Sequence, residues 1–598
     1  MGSGRDGWRL EAGSEWVARD PFGRVKASDA SARVHCVCDE SGRVLLRAAR
    51  GGYASFRLWV IGAGEYRLSV EAAGGLEVDL FRAWYHRMAG EAEGEETAYC
   101  VDALVPVGPS APQRLPDPDN AVEAQTQQEY WVDVFAPTDA AAGRREFTIV
   151  LTASGQRRQL PVLVDVLDAA VPDEDVIVCD HNSYGCAWLP AMYPGAFARC
   201  RDADDRSRTC IEILHNYHRL CREHRGLFSN LGAGHAGTFD RIYGPRTVGS
   251  GRDRRLADWG WFDRHYGPLL DGSAFAAASA GMPPARRPAR PAWGVYTPIN
   301  ADWPADYLWW GQPGYDVEFG RCVGQFDRHF RDNGWTHTRP WFFFNHKKRY
   351  RWYEWDGDEP KYSADDAYVH RMGRLLRRAI DGSDVPWVYR MDASWQMARH
   401  FERLAGVVDF WVCGSFARWW PDEVRRVVER GDVVWTYSGT PGIAETSSAL
   451  LEHVLRTWAR GIHGHCEWLT TDPGEDPWFA CTGAETGMLY PGGRFGLAGP
   501  LPSVRLKLQR NAVQDVNLLH ARAAAAGRLD ETRRRIAEQA GVVLWQPPPP
   551  VVRALPPEQW DSRNLAASQD DSMADHAELD PLWWLPVREA AASREGRP

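Results

Sequence analysis

The residues best suited to bond-breaking chemistry in this 598-residue chain are two adjacent carboxylates, Asp358 and Glu359. They lie in the string Trp355-Asp356-Gly357-Asp358-Glu359-Pro360. Neighbouring carboxylates repel, so one is expected to hold its proton more tightly while the other stays ionised. An acid beside an anion is the equipment for general acid–base work, and glycosidic bonds are cleaved by such pairs. The approach to the pair, Trp352-Tyr353-Glu354-Trp355, is aromatic, and the chain carries 29 Trp, 20 Tyr and 21 Phe. An indole offers a broad apolar face and one N–H donor, which suits a sugar ring with C–H faces and hydroxyl edges. The competing explanations are ordinary: a large core uses Trp too, and Asp-Glu-Pro strings occur on loops that lead into helices.

A second set of residues gains meaning from position. His181, Asn182 and Tyr184 fall after one expected strand, and Asn230 and His235 after the next. Asn345, His346 and Lys347 follow a third; Arg390, Asp392, Ser415, Tyr437, Glu467 and Trp468 stand at later ones. In a parallel α/β barrel the C-terminal strand ends face the active site. Carboxylates, amides and aromatics at so many ends make Asp358 and Glu359 the expected catalytic pair. His181, Asn182, Tyr184, Asn345, Trp355, Arg390, Asp392, Tyr437, Glu467 and Trp468 are the expected substrate contacts. Two alternatives stay open. Glu359 could pair with Asp392 or Glu467 from another strand, a gap of about 5–5.5 Å implying a nucleophile and about 6.5–9.5 Å an inverting enzyme. If Asp358 and Glu359 faced outward, the chain would be a carbohydrate-binding or scaffolding protein on a barrel without catalysis. His463, His465 and Cys466 read as packing residues, and neither a metal nor another cofactor is expected.

Two kinds of element must position these groups. Residues 33–37, 44–48, 53–60, 65–71, 76–84 and 130–135 are short β-prone runs bounded by Gly, Asp or Ser. Runs 147–153 and 159–167, joined through Gly155-Gln156, alternate as a closing hairpin should, and Pro-rich 107–120 reads as a loop. Residues 1–172 are therefore expected to form an antiparallel β-sandwich. From 173 to 530 strands alternate with amphipathic helices. Strands are expected at 176–179, 227–231, 341–344, 387–390, 408–412, 433–437 and 464–468. Helices are expected at 208–224, 318–333, 365–380, 395–404, 421–430, 447–461 and 503–525. This rhythm fits a (β/α)₈ TIM-type barrel with insertions. Within the insertion 235–316, residues 274–291 read as mobile and 293–310 as packed. Residues 531–598 read as a helix followed by a Pro-rich, polar tail, with Trp583 and Trp584 docking back on the body.

Composition narrows the function classes. The net charge is −10, and the one Arg-rich stretch, 286–290, is Pro-broken, which argues against nucleic acid as a partner. Residues 1–20 lack an apolar signal core and no run is long enough to span a bilayer. The twelve Cys show neither a CxxC pair nor zinc spacing. A cytoplasmic protein with free thiols, no membrane partner and a carbohydrate substrate is the expectation.

Several short motifs also occur in a meaningful order: Leu160-Pro161-Val162 before the barrel, Asp358-Glu359-Pro360, and Trp458-Ala459 leading to strand 465–468. They continue with Gly487-Met488-Leu489-Tyr490-Pro491-Gly492 and Ser503-Val504-Arg505-Leu506, which opens a helix carrying Arg510 and Gln514-Asp515. In this layout the chain resembles glycoside hydrolase family 123 and its uncharacterised relatives, from about residue 129 to 522. The resemblance implies a retaining β-N-acetylhexosaminidase-type reaction in which the substrate's acetamide is the nucleophile. Asp358 would then orient the acetamide, Glu359 would act as acid and base, and Tyr490 would join the substrate contacts. The family's pair follows closely after a strand, whereas residues 346–357 intervene here. Either this excursion folds back to deliver the pair, or the pair lies elsewhere.

Overall fold

The protein is described by a computed structural model that covers residues 7–35, 37–88, 98–232, 234, 240–250, 253–299, 313–350, 353–360, 362–393, 397–471, 474, 476–479, 487–548, 550 and 582–593. Among the described residues, ten strands make the N-terminal module. They are β1 (Arg9–Gly13), β2 (Val44–Arg50), β3 (Gly52–Ile61), β4 (Gly64–Glu71) and β5 (Glu77–Met88). β6 (Ala98–Val107), β7 (Pro112–Leu115), β8 (Gln127–Ala136), β9 (Gly143–Ala153) and β10 (Gln156–Ala170) complete it. They form two five-stranded sheets, ordered β1-β3-β8-β5-β6 and β2-β10-β9-β4-β7. Pairing is antiparallel throughout except for β2 beside β10.

β8 shows why this sandwich serves the rest of the chain. It is buried along its whole length. Tyr130, Val132 and Val134 enter the core between the sheets. Trp131 and Asp133, on the opposite face, meet the helix Val504–Ala525. A strand with two buried faces needs a partner on each, and here the second partner belongs to the barrel.

The barrel strands are β11 (Val178–Tyr184), β12 (Gly226–Leu231), β15 (Gly294–Tyr296), β16 (Arg339–Phe343), β17 (Val388–Ala393), β18 (Phe410–Cys413), β19 (Val433–Gly439) and β20 (Gly464–Trp468). A two-stranded ribbon, β13 (Arg246–Val248) and β14 (Arg255–Ala257), interrupts the series, and β21 (Leu489–Pro491) pairs with β22 (Pro500–Pro502) after it. The eight parallel strands run in the order β12-β11-β20-β19-β18-β17-β16-β15. β15 and β12 are the two ends that meet without a hydrogen-bonded ladder, so the barrel is nearly closed.

Alternation along each strand sorts its side chains. Leu227, Leu231, Tyr296, Trp341, Phe343, Phe410, Val412, Trp435 and Cys466 fill the barrel. Met391, Trp411 and Val434 face the helices instead. Two glycines make room for the indoles: a Cβ on Gly464 would sit 2.5 Å from the Trp435 ring, and one on Gly294 would sit 2.5 Å from Trp341. At the centre, Arg390 is buried over the Phe343 ring at 4.4 Å and holds Asp392 through two bonds of 2.8 and 3.0 Å.

The (β/α)₈ barrel with an N-terminal antiparallel sandwich agrees with the sequence reading; several details do not. The described residues of 33–37 contain no strand, because a 3₁₀ turn at Ala27–Val34 is pinned by Asp29, which accepts from the Ala18 and Ser447 N–H groups. β1, β6 and β7 went unrecognised, the last inside the expected Pro-rich loop. The hairpin turns at Ser154-Gly155, both at positive φ, rather than at Gly155-Gln156. The eighth barrel strand, β15, lies in the insertion. Residues 274–291 are also pinned: Arg286 bonds Glu77 and Asp79 of the sandwich, and Glu223 accepts the Arg286 N–H. At the C-terminus Trp583 and Trp584 are buried, and the Trp584 indole donates to Asp515 at 2.8 Å.

Candidate active site

β16 ends at Phe343, and the chain then makes a closed excursion from His346 to Gly357. The His346 carbonyl accepts the N–H of Gly357 at 2.9 Å and of Asp358 at 3.2 Å. Lys348 N–H donates to the Asp356 carboxylate at 2.7 Å, and the Lys348 ammonium reaches Asp365 at 2.8 Å. Gly357 is required at the seam, where a Cβ would lie 2.0 Å from the Phe344 carbonyl oxygen. Aromatic packing fills the loop: Trp355 is fully buried and meets Phe344, His346 and Tyr368 with ring centroids 5.7, 4.5 and 5.8 Å away. The excursion therefore folds back, and Asp358 and Glu359 emerge where the end of β16 would have placed them.

There they meet the inward-facing ends of three other strands. The Tyr437 hydroxyl of β19 donates to Glu359. Asp392 of β17 feels the charges of both Asp358 and Glu359. Tyr184 of β11 feels Asp358 and shares a hydrogen bond with Asn345. Tyr184 also packs edge-on against Trp468 of β20 at 5.3 Å. Lys347 closes the group, its ammonium 3.2 Å from Asp358 and 2.7 Å from Glu359. The Glu359 side chain keeps 23% of its surface exposed and Asp358 10%, so the pair is reachable from solvent, among partly exposed Tyr184, Asp392, Tyr437 and Trp468.

The electrostatics follow from burial and charge. Burial and the Asp358 carboxylate both push Glu359 upward, but Lys347 and Tyr437 prevail and hold it below its ordinary value. Burial, then the carboxylates of Asp358 and Glu359, outweigh Arg390 and raise Asp392 to about 6. Burial raises Asp180, beneath the mouth, to about 6 against the pull of Arg390. The Tyr184 hydroxyl is raised by burial and by Asp358, so it remains a donor. Lys347 is raised, since the two carboxylates outweigh its burial.

No family model matches the chain, and no curated protein matches its sequence. Among solved structures, a family 123 glycoside hydrolase from Clostridium perfringens superposes with a TM-score of 0.60, covering 89% of this chain and 91% of that one at 11% identity. The two chains share a fold. A xylanase 10B fragment from Clostridium thermocellum also matches at 11% identity over 86% and 95% of the two chains, with a TM-score of 0.29.

The expected residues divide into groups. Asp358, Glu359, Tyr184, Asn345, Asp392, Tyr437 and Trp468 gather at the mouth. Asn182 faces inward as well, but its amide is spent on the Glu467 carbonyl at 2.9 Å, bracing β11 to β20. Arg390 lies beneath, reaching the mouth through Asp392. Four residues sit elsewhere. Trp355 is the core of the excursion. Residues 180–184 are strand rather than the loop beyond it, so His181 points outward, where a Cβ on Gly226 would meet its ring at 2.8 Å. Glu467 is outward too, bonded to His453 at 2.9 Å and to Gln509 at 2.9 Å. Tyr490 donates to Asp102 of the sandwich at 2.8 Å. Of the other strand-end residues, Asn230 bonds Ser183 on the outer face, and His235 lies outside the described residues.

His453, His465 and Glu467 could each offer a metal a ligand atom within 4.8 Å of the others. These atoms are already hydrogen-bonded to one another and to Ser438, with Thr436 on the far nitrogen of His465. The cluster is explained as a buried polar joint between β19, β20 and two helices. Lys347 is the mouth residue whose importance the sequence understated: it stands four residues past the end of β16, two beyond Asn345, and two basic residues follow it.

Proposed function

We propose that the chain is a glycoside hydrolase acting on a small oligosaccharide or glycoside, by a retaining β-N-acetylhexosaminidase-type reaction with substrate assistance. One observation carries this reading: the closed excursion brings adjacent Asp358 and Glu359 to the barrel mouth, beside Tyr437, Asp392 and Tyr184. Asp358 accepts the acetamide N–H and orients the group, so that its carbonyl oxygen attacks the anomeric carbon. Glu359 gives a proton to the departing oxygen as the glycosidic bond breaks. It then takes one from the water that opens the oxazolinium ring, returning the anomeric centre to its original configuration. The Tyr184–Trp468 pair walls the sugar and limits access of bulk water.

The test is a panel of 4-nitrophenyl glycosides, each sugar offered with a 2-acetamido and a 2-hydroxyl group, alongside Glu359→Gln. The expected result is turnover confined to 2-acetamido sugars and a loss of about 10²–10⁴-fold in kcat for the variant, with an unchanged melting temperature. Equal cleavage of the 2-hydroxyl sugars would refute substrate assistance. Undiminished turnover by Glu359→Gln would remove Glu359 from the acid/base role.

A further inference from the structure

Lys347 poses a chemical problem. Its ammonium lies between the two carboxylates, nearer to Glu359 at 2.7 Å than to Asp358 at 3.2 Å. A carboxylate so paired is a poor proton donor, yet the reaction proposed above needs Glu359 to arrive protonated. The other groups facing Glu359 set what happens when that contact is lost. Asp358 on its own loop and Asp392 on β17 are acidic. Arg390 is committed to Asp392, Tyr437 on β19 and Tyr184 on β11 are neutral donors, and buried His346 is neutral. Without the ammonium, burial and like charge dominate, and both favour the protonated carboxyl.

We propose that Lys347 is a positioning residue that clamps the Asp358–Glu359 pair in the empty site, and that an entering sugar breaks the Lys347–Glu359 contact so that Glu359 takes up the proton it later donates. The inference rests on the proposed glycosidase reading and adds to it a coupling between binding and protonation. The proton comes from solvent, and the ammonium stays with Asp358, whose charge it continues to balance. Geometry makes the exchange feasible. Lys347 stands four residues past the end of β16, its side chain is 15% exposed, and a sugar hydroxyl can replace Glu359 among its three donors.

Two measurements test this on the full chain. The first needs no turnover: the ¹³C carboxyl resonance of Glu359, assigned by its disappearance in Glu359→Gln, is titrated in ligand-free protein. The wild type is expected to titrate below 4.5, the ordinary value, Lys347→Met about one pH unit or more higher, and Lys347→Arg close to wild type. A Lys347→Met midpoint equal to that of the wild type overturns the clamp, even if the variant has lost stability. The second uses the aryl glycoside that the wild type cleaves best. The basic limb of kcat/KM reports the free enzyme and that of kcat the complex, so the wild-type limbs should stand apart by about one unit or more and close together in Lys347→Met. Coincident limbs in the wild type overturn the displacement. If every glycoside in the panel is refused, the glycosidase reading fails, and the titration still decides whether Lys347 clamps the pair.

Discussion

Replacing Gly357 by Ala tests whether the seam of the excursion is what delivers the acidic pair. The added methyl carbon would stand 2.0 Å from the Phe344 carbonyl oxygen and 2.8 Å from both His346 Cε1 and Phe344 Cβ. Such contacts essentially never fall below 3.0 Å. The crowded oxygen belongs to the backbone at the end of β16, so it cannot swing aside as a side chain would. The loop must retreat by about 1 Å, enough to weaken the two bonds that the His346 carbonyl accepts. At about 0.5–1.5 kcal/mol each, their loss loosens the seam by roughly 1–3 kcal/mol. Asp358 and Glu359 follow directly, and a displacement of about 1 Å in a catalytic group costs on the order of 10²-fold in rate. Hydrogen–deuterium exchange should show faster exchange in peptides spanning 346–360, while β11 and β20 stay protected. kcat/KM on the best aryl glycoside should fall about 10²-fold. A variant with native exchange and activity within about threefold of wild type would show that the pair is positioned by something other than this closure.

Other outcomes follow from buried charges. Arg505 bonds Asp102 at 2.7 and 3.1 Å in the joint between sandwich and barrel. Asp102→Asn should cost about 3–5 kcal/mol in denaturant unfolding; a change below about 1 kcal/mol would contradict the pairing. Glu467→Ala should lower stability by about 1–3 kcal/mol by leaving His453 and Gln509 unpaired, while KM stays unchanged; a raised KM with native stability would return Glu467 to the mouth. Acid should destabilise the fold. Burial pushes His265 and His346 down to about 3, and His86 and His181 down to about 4. The unfolded chain therefore binds protons below about 6.5 that the folded one refuses, and stability present above that pH is lost at up to about 1.4 kcal/mol per group and pH unit. Asp180 and Asp392, raised to about 6, offset part of this between about 6 and 4. The melting temperature should fall from pH 7 to pH 5, and a flat profile would refute the neutral burial of these imidazoles.

The barrel was legible because its long helices and apolar strands carry their periods openly: β20 and the helix at 421–430 fall within a residue of expectation. Elements fixed by distant partners were not. β15 is three residues long and forms because β16 offers its edge, and the 274–291 segment is ordered by carboxylates some 200 residues away in sequence. The site shows the same division. Tyr437, Asp392 and Asp358 follow from strand ends and loop chemistry. His181 was misplaced because β11 runs to Tyr184, five residues past its expected end, and Glu467 because it alternates with the inward-facing Cys466 and Trp468 and so takes the outer face. Lys347 was hard to weigh because its role depends on a contact with a residue twelve positions further along the chain.

The joint built by helix Val504–Ala525 limits how this molecule can be taken apart. Lys507 and Arg510 share Asp133 at 2.6 and 2.7 Å, and Trp131 and Ser55 add donors to that same carboxylate. The last helix of the barrel thus completes the outer face of a sandwich sheet, and each half seals the other's interior. A shortened chain beginning at β11 would present two cations and an apolar helix face to water, inviting aggregation. Each half's surface at this joint is thus matched to the other, and removing either exposes buried charge and apolar area in what is left.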